Sequence, residues 1–320
     1  MLRLDDDWAW DFWLADDGDA WHLFFLRAPR SLGDPNLRHW NVRIGHAVSD
    51  DLHEWHLLPD AFGPSPEAAF DDYTTWTGSV VRSDDGTWYM FYTGSSRAEQ
   101  GLRQRIGVAT STDLVTWRKR GPTALVESDR RWYEQLGESD WSDEAWRDPW
   151  VFRDPNGDGW HMLITARGRN GPPDERGVIG HARSADLIRW EVLPPRSVPG
   201  SGFGHLEVPQ AVMVDGRPLL VFSCLTTELS AGRQAAGEGG GIWLLEPDDL
   251  LGPYDVRRAR RLTNDRLYSG RLIQQRDGTW VLLGFHHDDA DGRFVGWISD
   301  PIPLVDHRLT IDPVARLNSA

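Results

Sequence analysis

The sequence lacks the residues and segments that several common kinds of protein require. Cys224 is the only cysteine among 320 residues, which excludes an intramolecular disulfide and a cysteine-based metal cluster. No apolar run approaches the ~20 residues of a membrane-spanning helix. The first residues, Met1-Leu-Arg-Leu-Asp-Asp-Asp, lack the apolar stretch of a secretory signal peptide. These absences predict a cytoplasmic protein without a membrane partner.

Positive charge is also scarce. The chain has 34 lysines and arginines against 49 aspartates and glutamates, a formal net charge of −15. Nucleic-acid binding needs a basic surface to meet the phosphates, so a nucleic-acid partner is not expected.

Motifs for metal, phosphate or cofactor chemistry are missing as well. The sequence contains no phosphate-binding loop, no dinucleotide fingerprint, no Gly-x-Ser-x-Gly elbow and no His-x-x-x-His pair. The acidic run 154–158 does not complete a calcium-binding loop and is better interpreted as a hairpin turn. We therefore expect no cofactor, while a structural calcium ion and the oligomeric state stay open.

Tryptophan, by contrast, is abundant, with 18 copies. A tryptophan ring fills a protein core well, and it also offers a flat face on which a sugar ring can stack while its N–H bonds a hydroxyl. Core packing must account for most of the eighteen, so composition alone does not decide between the two uses.

Internal repeats predict the architecture. The pattern Gly-x-Ala-x-Ser-x-Asp-Leu-x-x-Trp occurs at 45–55, 107–117 and 180–190, with degraded copies from Gly241 and at 295–300. Asp-Gly dipeptides, the strongest short signal for a β-hairpin, precede alternating apolar runs five times. They stand at 17–18, 85–86, 158–159, 215–216 and 277–278.

Four strands per unit and five units are typical of a β-propeller. We predict an all-β fold in which residues 1–320 form a single five-bladed propeller domain. Each blade would be a four-stranded antiparallel sheet, residues 304–313 would close the last blade, and no C-terminal β-sandwich would follow.

The innermost strand of each blade should line the central channel and carry the chemistry. In this sequence these strands correspond to 10–14, 76–80, 147–151, 206–210 and 268–272. Three of them place a carboxylate at what we interpret as the same point: Asp11, Asp148 and Glu207. Buried strands exclude lone charges unless these are paired or functional. Three carboxylates in a tryptophan-rich pocket would shift one another's pKa values, as acid–base chemistry on a glycosidic bond requires.

These residues resemble the glycoside hydrolase clan of levansucrases and invertases, families 68 and 32. Trp10-Asp11-Phe-Trp-Leu resembles the first-blade nucleophile motif of levansucrases, and Arg147-Asp148-Pro is the Arg-Asp-Pro motif of both families. Trp76-Thr-Gly-Ser and Glu207-Val-Pro are similar to further clan segments. The invertase pattern Trp-Met-Asn-Asp-Pro-Asn-Gly is absent.

The resemblance implies a retaining β-fructofuranosidase, with transfructosylation as a further activity, acting on sucrose or short fructo-oligosaccharides. Asp11 would be the nucleophile and Glu207 the protonated general acid, then the base; Asp148 would bind sugar hydroxyls. The candidate substrate contacts are Trp10, Trp13, Trp40 with its neighbour His39, Trp76, Ser79, Arg147, His205 and Tyr268.

Two other functions stay open. Family 43 arabinofuranosidases and xylosidases share the propeller and the three carboxylates and would invert configuration. A propeller that binds sugar without cleaving it is the other, although a lectin has no reason to concentrate three carboxylates against a neutral ligand.

Overall fold

The computed structural model of the protein describes residues 1–306 and 308–309. It is an all-β, five-bladed propeller in which four blades are four-stranded antiparallel sheets. The first three blades contain the following strands: β1 (Asp7–Asp16), β2 (Trp21–Pro29), β3 (Arg43–Ser49) and β4 (His56–Phe62) in blade I; β5 (Thr74–Arg82), β6 (Trp88–Ser95), β7 (Gln104–Ser111) and β8 (Arg118–Lys119) in blade II; β9 (Trp146–Arg153), β10 (Trp160–Arg167), β11 (Gly177–Ser184) and β12 (Trp190–Leu193) in blade III.

The last two blades are built alike, with one interruption. Their strands are β13 (Glu207–Val214), β14 (Arg217–Cys224), β15 (Gly241–Leu245) and β16 (Arg260–Arg261) in blade IV, and β17 (Leu267–Gln274), β18 (Trp280–Asp288), β19 (Phe294–Ile298), β20 (Ile302–Val305) and β21 (Arg308–Leu309) in blade V. In blade V, β19 and β20 share the third-strand position, each pairing with a different half of β18. The predicted closing segment 304–313 is described only as far as β21; residues 310–313 lie outside the described residues.

Helices are few and short. Within residues 1–306 and 308–309, one α-helix, α1 (Ala231–Ala235), and five 3₁₀ turns connect strands: Arg30–Leu32, Pro35–Trp40, Pro173–Glu175, Thr226–Glu228 and Val256–Arg258. In the part of the chain that the structure describes, no helix has the length and apolarity to span a bilayer.

The five predicted Asp-Gly turns all connect the first and second strands of their blades. The predicted repeat also lies where expected: its Gly-x-Ala-x-Ser half forms the third strand, and its Asp-Leu half forms the turn that follows. In blade II, Asp113 Oδ1 accepts the backbone N–H groups of Val115 and Thr116 at 2.9 and 2.7 Å. Leu114, which lies between Asp113 and Val115 in this turn, is buried and has a backbone φ of 60°. The carboxylate stabilises a turn that positions the buried leucine.

The tryptophans that end the second and third repeats pack against the preceding blade. Trp117 of blade II lies edge-on to Phe24 of blade I, with ring centroids 5.6 Å apart. Trp190 of blade III meets Phe91 of blade II in the same way at 5.4 Å. The repeated motif therefore defines a turn within one blade and a contact between two.

The turn motif gives a test of the fold. Asp113→Ala removes the acceptor of two backbone N–H groups, so we expect the free energy of unfolding to fall by about 1–2 kcal/mol. Thr112→Ala, in the same exposed turn, is the matched control and should change it by less than about 0.5 kcal/mol. Chemical denaturation of both variants measures the difference, and equal stability would show that the carboxylate does not support the turn.

Candidate active site

A β-bulge interrupts the innermost strand of every blade at the same level. Along each of these strands, the pairing with the second strand shifts by one residue. The residues at the bulge are Asp11, Thr77, Asp148, Val208 and Ser269. Those immediately before it are Trp10, Trp76, Arg147, Glu207 and Tyr268. A bulge re-aims side chains by breaking the alternation of the strand, and in blades I, II and III both residues line one cavity.

This register corrects one prediction. We expected Asp11, Asp148 and Glu207 at equivalent positions, but Val208 is the equivalent of the two aspartates and Glu207 precedes it. The alternation of residues in the sequence does not reveal this difference, because the bulge adds one residue and so changes which side chains face the cavity. The convergence holds nevertheless, since Asp11, Asp148 and Glu207 line one cavity.

That cavity opens at one end of the central channel and has a volume of about 260 Å³. It is lined by Trp10, Asp11, Leu26, His39, Trp40, Trp76, Thr77, Gln104, Asp143, Arg147, Asp148 and Glu207. The ring of Trp40 stacks on the ring of Tyr73 with centroids 5.1 Å apart, and its centroid lies 5.9 Å from that of Trp76. These three rings form an aromatic rim on one side of the cavity. Only three of the eighteen tryptophans line this cavity, so core packing accounts for most of the others.

Two predicted sugar contacts lie elsewhere. Trp13 is 0% exposed and stacks on Phe24 in the core, because it lies beyond the bulge on the other face of β1. Ser79 is also buried, and its hydroxyl accepts the backbone N–H of Val151 at 3.0 Å, which ties blade II to blade III. Neither Trp13 nor Ser79 lines the cavity, so the structure gives no support for them as sugar contacts.

Arg147 is the central cation of the site. Its guanidinium donates to Glu207 Oε1 from Nη2 at 2.7 Å and from Nε at 3.2 Å. Nη1 donates to the side-chain oxygen of Gln104 at 3.0 Å, and Nη2 lies 2.8 Å from His205 Nδ1. Asp148 Oδ2 is 3.8 Å from Nε. The arginine thus connects two of the three carboxylates and orients Glu207.

Hydroxyl groups and backbone amides hold the remaining carboxylate oxygens. Asp11 accepts from Thr77 Oγ1 at 2.8 Å and from Ser269 Oγ, both at bulge positions of neighbouring blades. Asp148 Oδ2 accepts from Thr165 Oγ1 at 2.8 Å and from the Val208 N–H at 3.2 Å. Tyr268 and His205 do not line the cavity but stand behind Glu207: Tyr268 Oη donates to Glu207 Oε2 at 2.6 Å, and His205 Nε2 is 3.7 Å from that oxygen.

The environments of the three acids separate their pKa values. Burial raises the pKa of Asp11, and the hydrogen bond from Ser269 only partly offsets it. Burial also raises the pKa of Asp148, to about 7, against the charge of Arg147 and with the help of the charges on Glu207 and Asp11. For Glu207, burial is outweighed by the positive charges of His205 and Arg147, which lower its pKa to about 2. The pKa values of the two aspartates are thus raised and that of Glu207 is lowered, whereas the mechanism expected from the sequence needs a protonated Glu207.

Two lining residues had no signal in the sequence. Gln104 opens β7 and accepts from Arg147, while its amide nitrogen donates to Asp143 Oδ2 at 2.7 Å. Asp143 lies in the connection that precedes β9, and Trp141 Nε1 of the same connection donates to Asp143 Oδ1 at 3.1 Å. Both belong to stretches outside the repeats, and only the three-dimensional structure brings them to the cavity.

The site is an acidic cavity between the innermost strands of a five-bladed propeller, with two buried carboxylates connected by an arginine. The comparisons identify the family. The chain belongs to glycosyl hydrolase family 32: the N-terminal domain of that family matches residues 14–240. Asp11 and Tyr268 lie outside the matched residues, on the first and last blades.

Relatives in sequence are plant and bacterial proteins. The chain is 30% identical to β-fructofuranosidase, insoluble isoenzyme 2, of Oryza sativa subsp. indica over 87% of this chain and 44% of that protein. It is 27% identical to sucrose-6-phosphate hydrolase of Pediococcus pentosaceus over 63% of this chain and 36% of that protein. It is 37% identical to 6(G)-fructosyltransferase of Asparagus officinalis over 54% of this chain and 26% of that protein. The chain thus spans less than half the length of these relatives.

Solved structures confirm the propeller. Inulosucrase from Halalkalicoccus jeotgali bound to kestose superposes with a TM-score of 0.76 and 23% identity, over 96% of this chain and 89% of that one. Bacillus subtilis levansucrase gives a TM-score of 0.69 and 15% identity, over 94% and 84% of the two chains. At these identities the likeness establishes the shared fold.

The electrostatics of the site predict a stability effect. Because folding raises the pKa of Asp148, the protein loses stability as the pH rises toward and through about 7. Asp148→Asn removes this dependence, so its free energy of unfolding relative to wild type should improve by about 1–3 kcal/mol between pH 5 and pH 8. Asp50→Asn, at an exposed position, is the control and should show no such trend. A pH-independent difference for Asp148→Asn in denaturation curves would show that the folded state does not raise this pKa.

Proposed function

We propose that the protein is a retaining β-fructofuranosidase that transfers a fructosyl unit from sucrose or a short fructo-oligosaccharide to water, and also to a second sugar. The observation that carries the proposal is the convergence of Asp11, Asp148 and Glu207 on one cavity in a chain of family 32. The sequence relatives named as a β-fructofuranosidase and a fructosyltransferase support both the hydrolysis and the transfer. The family membership favours this function over the family 43 alternative.

Asp11 is the proposed nucleophile. The Thr77 hydroxyl donates to Asp11 Oδ2 and the Ser269 hydroxyl to Oδ1, so both oxygens of the carboxylate are fixed in orientation where it lines the cavity. Attack on the anomeric carbon gives a covalent fructosyl–enzyme, and water or a sugar hydroxyl then displaces Asp11, so the configuration is retained.

Glu207 is the proposed general acid and base. Donation from Tyr268 and Arg147 stabilises its ionised form in the free site. Burial lowers the pKa of His205, which favours the neutral imidazole and so weakens one of the two positive charges that stabilise ionised Glu207. Sugar hydroxyls that donate to Asp148 and Asp11 stabilise their ionised forms, and the negative charges so formed raise the pKa of Glu207. Substrate binding thereby favours a protonated Glu207, which donates its proton to the oxygen of the leaving sugar.

Asp148 and the aromatic side chains take the remaining roles. Ionised Asp148, steadied by Thr165 and the Val208 N–H, accepts hydrogen bonds from sugar hydroxyls and stabilises the positive charge that develops on the ring. Trp10, Trp40 and Trp76 offer apolar faces to the sugar.

Sugar release tests this function. Purified protein should release fructose from sucrose and from 1-kestose, and Glu207→Gln should lower kcat by about 10²–10⁴-fold because neither proton transfer is then assisted. Asp11→Asn should lower it by about 10³-fold or more because no covalent intermediate forms.

Glu191→Gln, a carboxylate replacement at an exposed position of β12, is the control and should keep full activity. Absence of fructose from wild-type protein would overturn the fructosidase proposal, and arabinofuranosides and xylosides would then be the substrates to try. An initial product with inverted configuration, followed by NMR, would overturn the retaining mechanism alone.

A further inference from the structure

The charges that line the cavity are mostly of one sign. Four of the twelve lining residues are carboxylates, Asp11, Asp143, Asp148 and Glu207, and a single one, Arg147, is a permanent cation. With Asp148 protonated, the formal charge of the lining is still negative by two. An anionic ligand would meet this field at short range, and the Asp143 carboxylate, whose side chain is 24% exposed, acts on it from the solvent side.

Arg147 is not free to meet an anion. Its Nε and both terminal nitrogens already contact Glu207, Gln104 and His205. The guanidinium is buried, and the surrounding carboxylates raise its pKa although burial opposes them. A phosphate could be paired with Arg147 only by taking it from Glu207, which would leave that carboxylate buried without its cation.

The other arginines near the cavity have partners within the protein and do not line the cavity. Arg38 is buried behind Trp10, with its guanidinium 3.8 Å from the Phe294 ring centroid and Nη1 donating to the Pro35 carbonyl. Arg105 is paired with Glu99 at 2.5 Å. Arg97, which is exposed, lies 4.9 Å from the centroid of Tyr73 and does not line the cavity.

The chain segment on the side of Asp143 is acidic too. Residues 138–144, Glu-Ser-Asp-Trp-Ser-Asp-Glu, contain four carboxylates and no cation. Arg167, 3.7 Å from the Trp141 ring centroid and bonded to Glu134 at 2.6 Å, anchors this segment against blade III. Arg103 pairs with Glu144 at 3.5 Å, Arg169 pairs with Glu138 at 3.4 Å, and Arg147 lies 3.7 Å from Asp143, so part of this charge is compensated. A ligand group that extends from the cavity toward Asp143 meets the remaining negative charge in a fixed position.

We propose that the site is selective for uncharged sugars and rejects a substrate whose leaving sugar carries a phosphate monoester. This inference rests on the proposed function and adds the substrate class to it. The selectivity comes from repulsion by Asp143 and the catalytic carboxylates, together with the lack of an available cation among the described residues that line the cavity. Neutral hydroxyl groups meet no such penalty, because carboxylates accept hydrogen bonds from them.

The test compares sucrose with sucrose phosphorylated on the 6-hydroxyl of its glucose unit. We expect kcat/KM to be at least 30-fold higher for sucrose at low ionic strength. The ratio should shrink severalfold in ~0.5 M salt, because salt screens the repulsion of exposed charges. Comparable kcat/KM for the two substrates, or a preference for the phosphorylated one, would overturn the proposal; so would a ratio that does not respond to salt.

Two variants locate the source of the selectivity. Asp143→Asn should narrow the ratio several-fold, mainly by improving kcat/KM for the phosphorylated substrate. Arg97→Ala should leave the ratio unchanged, whereas a wider ratio would show that Arg97 binds the phosphate. The salt dependence of wild-type protein serves the same purpose if Asp143→Asn does not fold. Cleavage of neither substrate would refute the proposed function itself, while cleavage of both at equal rates would refute only the selectivity.

Discussion

The site depends on one backbone irregularity repeated five times. Without a bulge, successive side chains on an innermost strand alternate between its two faces, and one of each pair would be lost to the core. With the bulge, Arg147 and Asp148 both reach the axis, as do Trp10 and Asp11 on the first blade. Asp148, Val208 and Ser269 take positive φ values of 59°, 51° and 51°, a conformation that costs about 1–3 kcal/mol for a residue with a side chain. The packing of the five blades against one another holds these residues in their strained backbone conformation.

The second constraint is electrostatic. Three acids drawn together in a buried cavity cannot all ionise without a compensating charge, and Arg147 is the only guanidinium among the lining residues. Its geometry decides the distribution of protons: the acid that it bonds directly, Glu207, is held ionised, and the two aspartates carry the raised pKa values. The same bonds leave the arginine with no capacity for a ligand anion. One interaction thus sets the resting protonation state and the proposed preference for neutral sugars.

Much of the fold could be read from the sequence because its signals are local and repeated. The Asp-Gly turns and the Ser-x-Asp-Leu-x-x-Trp segments report hairpins and turns that form the same contacts in blade after blade. Asp11, Asp148 and Glu207 could be proposed from the sequence because they stand in these innermost strands. Trp13 and Ser79 lie on the strand face opposite to the one expected, because the bulge reverses the alternation of side chains. No residue type in the sequence signals a bulge. Gln104 and Asp143 were missed because Gln104 stands at the start of β7, before the repeated motif, and Asp143 lies in a connection whose position only tertiary contacts determine.

The central claim is that Asp11 forms a covalent bond to the sugar while Glu207 transfers protons. The most direct measurement is the intact and peptide mass of Glu207→Gln protein mixed with a fructosyl donor whose leaving group needs no protonation. The intermediate then forms but lacks a base for its hydrolysis, so we expect the mass to rise by one fructosyl unit, located on the peptide that contains Asp11. An unmodified protein that still releases the leaving group, or a modification on Asp148, would contradict this account.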